Sequence, residues 1–252
     1  LLARLLGRED FGAYGVLAST TLMVGALAST SLHVTALKFV AQHQAGAPER
    51  AARIYGLCFL SSVIAGAIAA VAIVLASDRL AAYVGHPSLA PLFRITGLTI
   101  PFAAINGVQT GRLLALKNIR ALALVSIASS ATQLAILPIA ALLGGLQGLS
   151  YGLLGHAVLS CGLHSLALML VDRAATPSLR LVEFWKERAV LWTFALPHLL
   201  SALVSAPAQW WPIMLLSQSP NGLEQVAVFS AAQKWRQLVL FLPGMVSKPS
   251  IP

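Results

Sequence analysis

Residues 54 to 77 read IYGLCFLSSVIAGAIAAVAIVLAS, twenty-four positions without a charged side chain. As a helix this run rises about 36 Å at ~1.5 Å per residue, enough to cross the ~30 Å hydrocarbon core of a bilayer. Its apolar residues are continuous rather than alternating, which excludes a transmembrane β-barrel. Four further uncharged runs share this character, at residues 11 to 37, 95 to 111, 121 to 171 and 189 to 223. The run from 121 to 171 is long enough for two spans, and Gly144, Gly145 and Gly148 are placed to divide it. With the last stretch added, the pattern predicts seven helices, over about 11–32, 54–76, 92–114, 122–143, 149–171, 190–216 and 224–246.

Composition points the same way. Of the 252 residues 58% are apolar and 10% charged, where soluble domains have about a quarter charged. The mean hydropathy is +0.80. The predicted fold class is therefore all-α, a polytopic transmembrane helix bundle. The chain opens on Leu1 without a methionine, and Leu1 to Leu6 resemble the exit of an earlier helix, so a fragment is expected. No signal peptide can be read at such an end, and the spans themselves would serve for insertion. Cys58 and Cys161 both fall inside spans, where small apolar packing is expected rather than a disulfide.

The net charge of +9 raises the possibility of nucleic acid, and the placement of the cations excludes it. Seven spans make the loops alternate sides. One side receives Lys38, Arg50, Arg53, Arg112, Lys117, Arg120, Arg173, Arg180, Lys186, Arg188 and Lys248, and the other Arg4, Arg8 and Arg79. Such asymmetry is the positive-inside pattern, which puts the first set in the cytoplasm and explains the basic charge as topology. The outer loops, near residues 77–91, 143–148 and 217–224, are too short to fold as domains. The longest cytoplasmic connection, DRAATPSLRLVEFWKERAV from Asp172, mixes apolar and basic residues. It reads as a surface helix on the inner leaflet, with Trp185 at headgroup depth.

An internal echo joins the two ends of the chain. Gly7, Glu9, Phe11, Ala13 and Tyr14 match Gly222, Glu224, Val226, Val228 and Phe229 at a constant offset of 215. Transporters are often built from such repeats, with substrate held between the halves. The echo predicts one six-helix repeat plus the start of a second. Residues 1–188 would form an N-terminal lobe, with the end of a first helix, five spans and the surface helix. Residues 189–252 would open a C-terminal lobe with two spans.

The segment FSAAQKWRQLVLFLPG, residues 229–244, sets two cations inside a span. Projected at 100° per residue, Ser230, Gln233, Lys234 and Gln237 form one stripe with Arg236 at its edge. Val228, Ala231, Ala232, Trp235, Val239 and Leu242 lie opposite. Lys234 is ten residues beyond Glu224, about 15 Å along the axis and so near the bilayer midplane. A charge at that depth faces a protein interior or a wet cavity, and the expectation is a hydrated, anion-attracting seam. The alternative is an ion pair with a carboxylate of another helix.

Uncharged polar stripes recur in other spans. Thr96, Thr99, Asn106, Gln109 and Thr110 follow one side of the third helix; Ser126, Ser129, Ser130 and Gln133 mark the fourth, and Ser160 and His164 the fifth. Such residues commonly hold helices together, with Asn106 and Gln109 the best candidates for sugar hydroxyls. Arg94 can snorkel to the outer headgroups. His156, His164 and His198 sit in spans, where packing histidines are commoner than proton relays. Pro101, Pro197 and Pro212 are expected to kink their helices. Metal-ligand spacing, nucleotide-binding glycine motifs and paired intramembrane carboxylates are all absent, so neither a metal, a cofactor nor a catalytic residue is expected.

The opening LLARLLGREDFGAYGVLAST with ALKFVAQH, and the later TFALPHLLSALVSA and VAVFSAAQKWRQLVLFLPGMVSKPSIP, resemble polysaccharide-biosynthesis flippases. These are the O-antigen and capsule exporters of the multidrug/oligosaccharidyl-lipid/polysaccharide superfamily. The likeness covers most of the chain, although AQWWPIMLL carries no polar or charged group beside Trp210 and Trp211 where the family often has one. The resemblance implies a bacterial inner-membrane exporter of polyprenyl-diphosphate-linked glycan working by alternating access, with about twelve or more helices when complete. It implies membrane lipid and polysaccharide assembly proteins as partners. On this view Arg236 and Lys234 hold the diphosphate, Ser230, Gln233, Gln237, Asn106 and Gln109 line the cavity, and Arg94 and His198 are further contacts. A drug or cation antiporter would expose intramembrane carboxylates, and a membrane polysaccharide polymerase would need a large outer loop; the sequence has neither.

Overall fold

The computed structural model describes residues 2–171 and 181–247, which are helical with no strand among them. The helices are α1 (Leu2–His43), α2 (Pro48–Val84), α3 (Ala90–Gly97), α4 (Ile100–Ala115), α5 (Ile119–Val171), α6 (Leu181–Phe184), α7 (Leu196–Ser217) and α8 (Gly222–Ser247). Five stretches are long and apolar enough to cross a membrane: Leu2–His43, Pro48–Val84, Pro87–Ala115, Ile119–Val171 and Leu191–Ser217. α8 is also long enough at 26 residues, but carries Glu224, Lys234 and Arg236. The protein is a polytopic helical bundle, as its composition requires.

Breaks in the helices fall where the backbone chemistry demands them. Gly7, at φ 80° and ψ 177°, separates Leu2–Leu6 from the long span of α1. Gly85 closes α2 in the left-handed region, with the Gly85 and His86 amides donating to the carbonyls of Ala82 and Ala81. α5 is two arms, because Gly144 (φ −147°) and Gly145 (φ 55°) reverse the chain. The arms run antiparallel: Ser129 and Ser160 hydrogen-bond between them at 2.8 Å, and Gly152 packs on Ala140. The expected third helix is split by a turn at Leu98–Thr99, just before Pro101, whose ring cannot supply the amide that would continue it. A π-helical turn, Leu191–Ala195, precedes Pro197, while α7 continues through Pro207 and Pro212.

α1 is the axis of the bundle, packed on α2, α4, α5, α7 and α8. At the end bearing the outer loops, its Ala13, Val16 and Leu17 join Val84, Phe93, Ile213, Met214, Leu223 and Val226 in one core. At the opposite end Leu32, Ala36 and Val40 pack with Ile54, Tyr55, Cys58, Val108, Leu113 and Ala195. That second end carries Lys38, Arg50, Arg53, Arg112, Lys117, Arg120, Lys186 and Arg188, which the positive-inside rule assigns to the cytoplasm. Arg173, Arg180 and Lys248 lie outside the described residues, as does 172–180 of the surface-helix stretch. The outward faces of α5 are apolar, with Leu134 77%, Leu143 84% and Leu170 76% exposed. Exposure on that scale fits hydrocarbon rather than water as the surrounding medium.

Small residues allow the closest approach. A Cβ on Gly12 would collide with the Leu223 carbonyl of α8, and one on Gly15 would stand 2.6 Å from Ser230 Oγ. Gly12→Leu is therefore expected to destabilise the purified protein by about 1–3 kcal/mol, read as a lower thermal unfolding midpoint. Gly155→Ala, where an added Cβ meets nothing within 4 Å, should leave that midpoint unchanged.

Candidate functional site

α8 is set by the turn before it. Asn221 takes a left-handed conformation (φ 55°), and Gly222 comes so close to the Ser217 carbonyl that a side chain would not fit. Leu223, Val226 and Ala227 then bury against the rest of the bundle, and Ser230 is half-buried against Gly15. Gln233 is half-buried as well. Lys234, Trp235, Arg236, Gln237 and Val239 are exposed among the described residues, so the expected stripe is packed at its outer end and open from Lys234 onward. Val228 and Trp235, on the opposite arc, are exposed too. Neither Lys234 nor Arg236 forms an ion pair among the described residues.

The uncharged polar residues meet one another. Asn106 Nδ2 donates to Ser160 Oγ at 3.1 Å and Gln109 Nε2 to Ser165 Oγ at 2.7 Å, joining α4 to the second arm of α5. Ser160 also bonds Ser129 of the first arm. Gln109 is 2% exposed, and its Oε1, like Asn106 Oδ1, accepts no hydrogen bond from the described protein. His33 Nδ1 donates to the Gly107 carbonyl at 2.7 Å, and His164 Nδ1 to that of Ser160 at 2.9 Å. His198 packs on Phe194, with ring centroids 6.4 Å apart, and like His156 has no partner for Nδ1 among the described residues. Trp210 Nε1 donates to Thr20 Oγ1 at 3.0 Å, tying α7 to α1.

Arg94, half-exposed at the outer end, pairs with Asp78 through Nη2 at 2.8 and 2.9 Å and donates Nε to Ser77 Oγ at 2.9 Å. The reason is that α3 returns alongside the end of α2, where Asp78 and Ser77 stand.

At the cytoplasmic end the structure assembles residues far apart in sequence. Glu187, with its side chain 10% exposed, accepts from Arg50 Nε at 3.1 Å and Arg53 Nη2 at 3.5 Å. Phe184 fills the notch above Gly56, where a Cβ would lie 2.5 Å from the ring. Lys38 Nζ stands 4.2 Å from the centroid of the Phe194 ring and 5.4 Å from that of Phe39. The buried Arg112 guanidinium stacks on Tyr55 at 4.2 Å. Trp185 is exposed, as an interfacial anchor would be. Two cavities open at the other, outer end, and both involve Glu9, His86 and Leu223.

The family described as polysaccharide biosynthesis protein matches residues 1–242. The chain belongs to this family. A relative in Ralstonia solanacearum, the EPS I polysaccharide export inner membrane protein EpsE, is 25% identical over 256 aligned positions. The match covers 100% of this chain and 57% of the relative, so the chain spans little more than half of that protein's length. No solved structure matches the chain. This member of the polysaccharide biosynthesis family is a multi-pass inner-membrane protein. No group of three or more His, Cys, Asp or Glu residues that could hold a metal occurs among the described residues.

Removing Glu187 leaves two arginines facing each other without their shared carboxylate. Glu187→Ala is expected to cost about 1–3 kcal/mol, between the values for exposed and buried pairs. Limited proteolysis of the purified protein should then cut near residues 181–188 faster than in the wild type.

Proposed function

We propose that this chain is the N-terminal lobe and the opening of the C-terminal lobe of a flippase, divided near residue 188. It moves polyprenyl-diphosphate-linked glycan from the inner to the outer face of the membrane for surface polysaccharide synthesis. The observation that carries this reading is the pair of cations midway along α8. Lys234 and Arg236 are exposed where α8 stops packing on α1, and no described carboxylate neutralises them. A charge there is stable only against protein, water or an anion. The diphosphate is such an anion: the Arg236 guanidinium offers it a planar fork and the Lys234 ammonium a mobile point charge.

The packing supports an alternating-access cycle. α8 is joined to α1 at the outer end through Gly12 and Gly15, and Lys234 to Gln237 and Val239 are exposed beyond that contact. The two lobes rock about this contact while the polyprenyl tail stays in lipid. Gln233 and Gln237 extend the polar stripe toward the sugar, and Ser230 closes it against α1. The carbonyl oxygens of Asn106 and Gln109 are buried and accept no hydrogen bond from the described residues, so on this reading a hydroxyl reaches them only when α4 and α5 part during the cycle. Export by a relative whose name states it supports a transporter rather than an enzyme.

Lys234→Glu with Arg236→Glu in the full-length protein should abolish surface polysaccharide while the protein still inserts. Normal export by the double variant, quantified as cell-surface glycan, would refute the role assigned to the pair. Lys234→Arg with Arg236→Lys should retain part of the activity, since charge is kept and only the fork is moved.

A further inference from the structure

The outer end carries a cavity of about 530 Å³ that the flippase mechanism does not use. It lies where three separate pieces of chain converge: the start of α1, the end of α2 and the α7–α8 turn. A second recess of about 350 Å³ shares Glu9, His86 and Leu223 with it. Together they reach the size of ordinary small-molecule sites.

The walls are preformed and spend their own hydrogen bonds inward. Ser217 Oγ donates to the Met214 carbonyl at 2.8 Å and Ser219 Oγ to that of Leu216 at 2.7 Å. Gln218 Nε2 spans to the Tyr83 carbonyl at 3.4 Å, linking the α7–α8 turn to the end of α2. Polar ends left uncommitted within the described protein are the carboxylates of Glu9 and Glu224, the imidazole of His86 and the phenol of Tyr83, whose side chain is exposed. Glu9 and Glu224 form one of the five matched pairs of the sequence echo, brought to one cavity by the seating of Leu223 on Gly12.

The charge of this lining is opposite to that of the chain. The protein has 17 basic against 8 acidic residues, yet Glu9, Asp10 and Glu224 line the two recesses and neither contains a lysine or arginine. Carboxylates accept hydrogen bonds from hydroxyl and ammonium groups and repel other carboxylates. Tyr83, exposed in the same lining, supplies an aromatic ring, the kind of surface that packs on the C–H side of a pyranose.

The geometry points to a product-side glycan site, formed by Glu9, Glu224, Tyr83 and His86, that holds neutral or amino sugars and rejects uronic acids. It rests on the flippase reading for its ligand class. It goes beyond that reading in placing a second contact outside, separate from the cations of α8, where sugars that have crossed meet the protein.

The test is direct binding of free oligosaccharides to the full-length protein in lipid nanodiscs, followed by saturation-transfer-difference NMR. Maltotetraose, a chitosan tetramer and tetragalacturonate serve as the neutral, cationic and acidic probes. Saturable binding of the first two is expected, at least tenfold tighter than that of the acidic one. Glu9→Gln with Glu224→Gln should weaken the chitosan tetramer at least tenfold and narrow the gap to tetragalacturonate. Tyr83→Ala should weaken all three. These side chains are solvent-facing, and an unchanged thermal midpoint verifies that the variants fold. No saturable binding by any probe, equal binding of the acidic probe, or affinities indifferent to the three substitutions would overturn the site. Binding is independent of export: a protein that binds as expected but exports normally after reversal of Lys234 and Arg236 keeps this site and loses the flippase mechanism.

Discussion

The seating of Leu223 on Gly12 is the contact on which the rest is arranged. α8 can approach α1 only because positions 12 and 15 have no side chain, and that approach brings the α7–α8 turn against the ends of α1 and α2. Close backbone approach at small residues is a general way for helices to associate in lipid, where burial of apolar surface supplies no net drive between them. Here it does more than hold two helices. It fixes the depth of every later residue of α8, and so the level at which Lys234 and Arg236 stand.

Polar groups elsewhere in the bundle are handled by local pairing. Serines and threonines of the spans return their hydroxyls to carbonyls three or four residues earlier, as Thr20, Ser29 and Thr35 do on α1. Longer side chains cross between helices, with Asn106 and Gln109 reaching serines on α5. Charged groups are kept to the two ends, where Arg94 meets Asp78 outside and Glu187 meets Arg50 and Arg53 inside. Against that economy the two cations of α8 stand out, because neither has an ion-pair partner among the described residues.

How much of this was legible in sequence follows from the range of each interaction. The spans were, since apolar run length and the bilayer are matched directly, and Gly144 and Gly145 marked the reversal of α5. The break at Leu98–Thr99 was not, because Pro101 announces a disturbance without saying that it falls a turn upstream. Glu187 looked like one charge among many in a basic stretch; its partners lie 137 and 134 residues earlier, and no local pattern encodes that pairing. The echo of Glu9 and Glu224 was visible as a repeat, but only the packing of α8 reveals that the two share a cavity. The open face of α8 belongs to the same class, since amphipathic spacing identifies a stripe without telling what stands opposite it.

Residues 184–194, which lead into α7, are held at three points. Phe184 is wedged at Gly56, Glu187 is clamped by two arginines of α2, and Phe194 lies under Lys38 of α1. A tilt of α7 is therefore not passed back through Phe184 and Glu187 as through a rigid lever; its fulcrum lies between Glu187 and the body of α7. The π turn at Leu191–Ala195 and the missing amide of Pro197 weaken the helical hydrogen bonding at that point. The linkage thus behaves like a door whose hinge pin is set in the frame, free to swing the leaf while the jamb stays still.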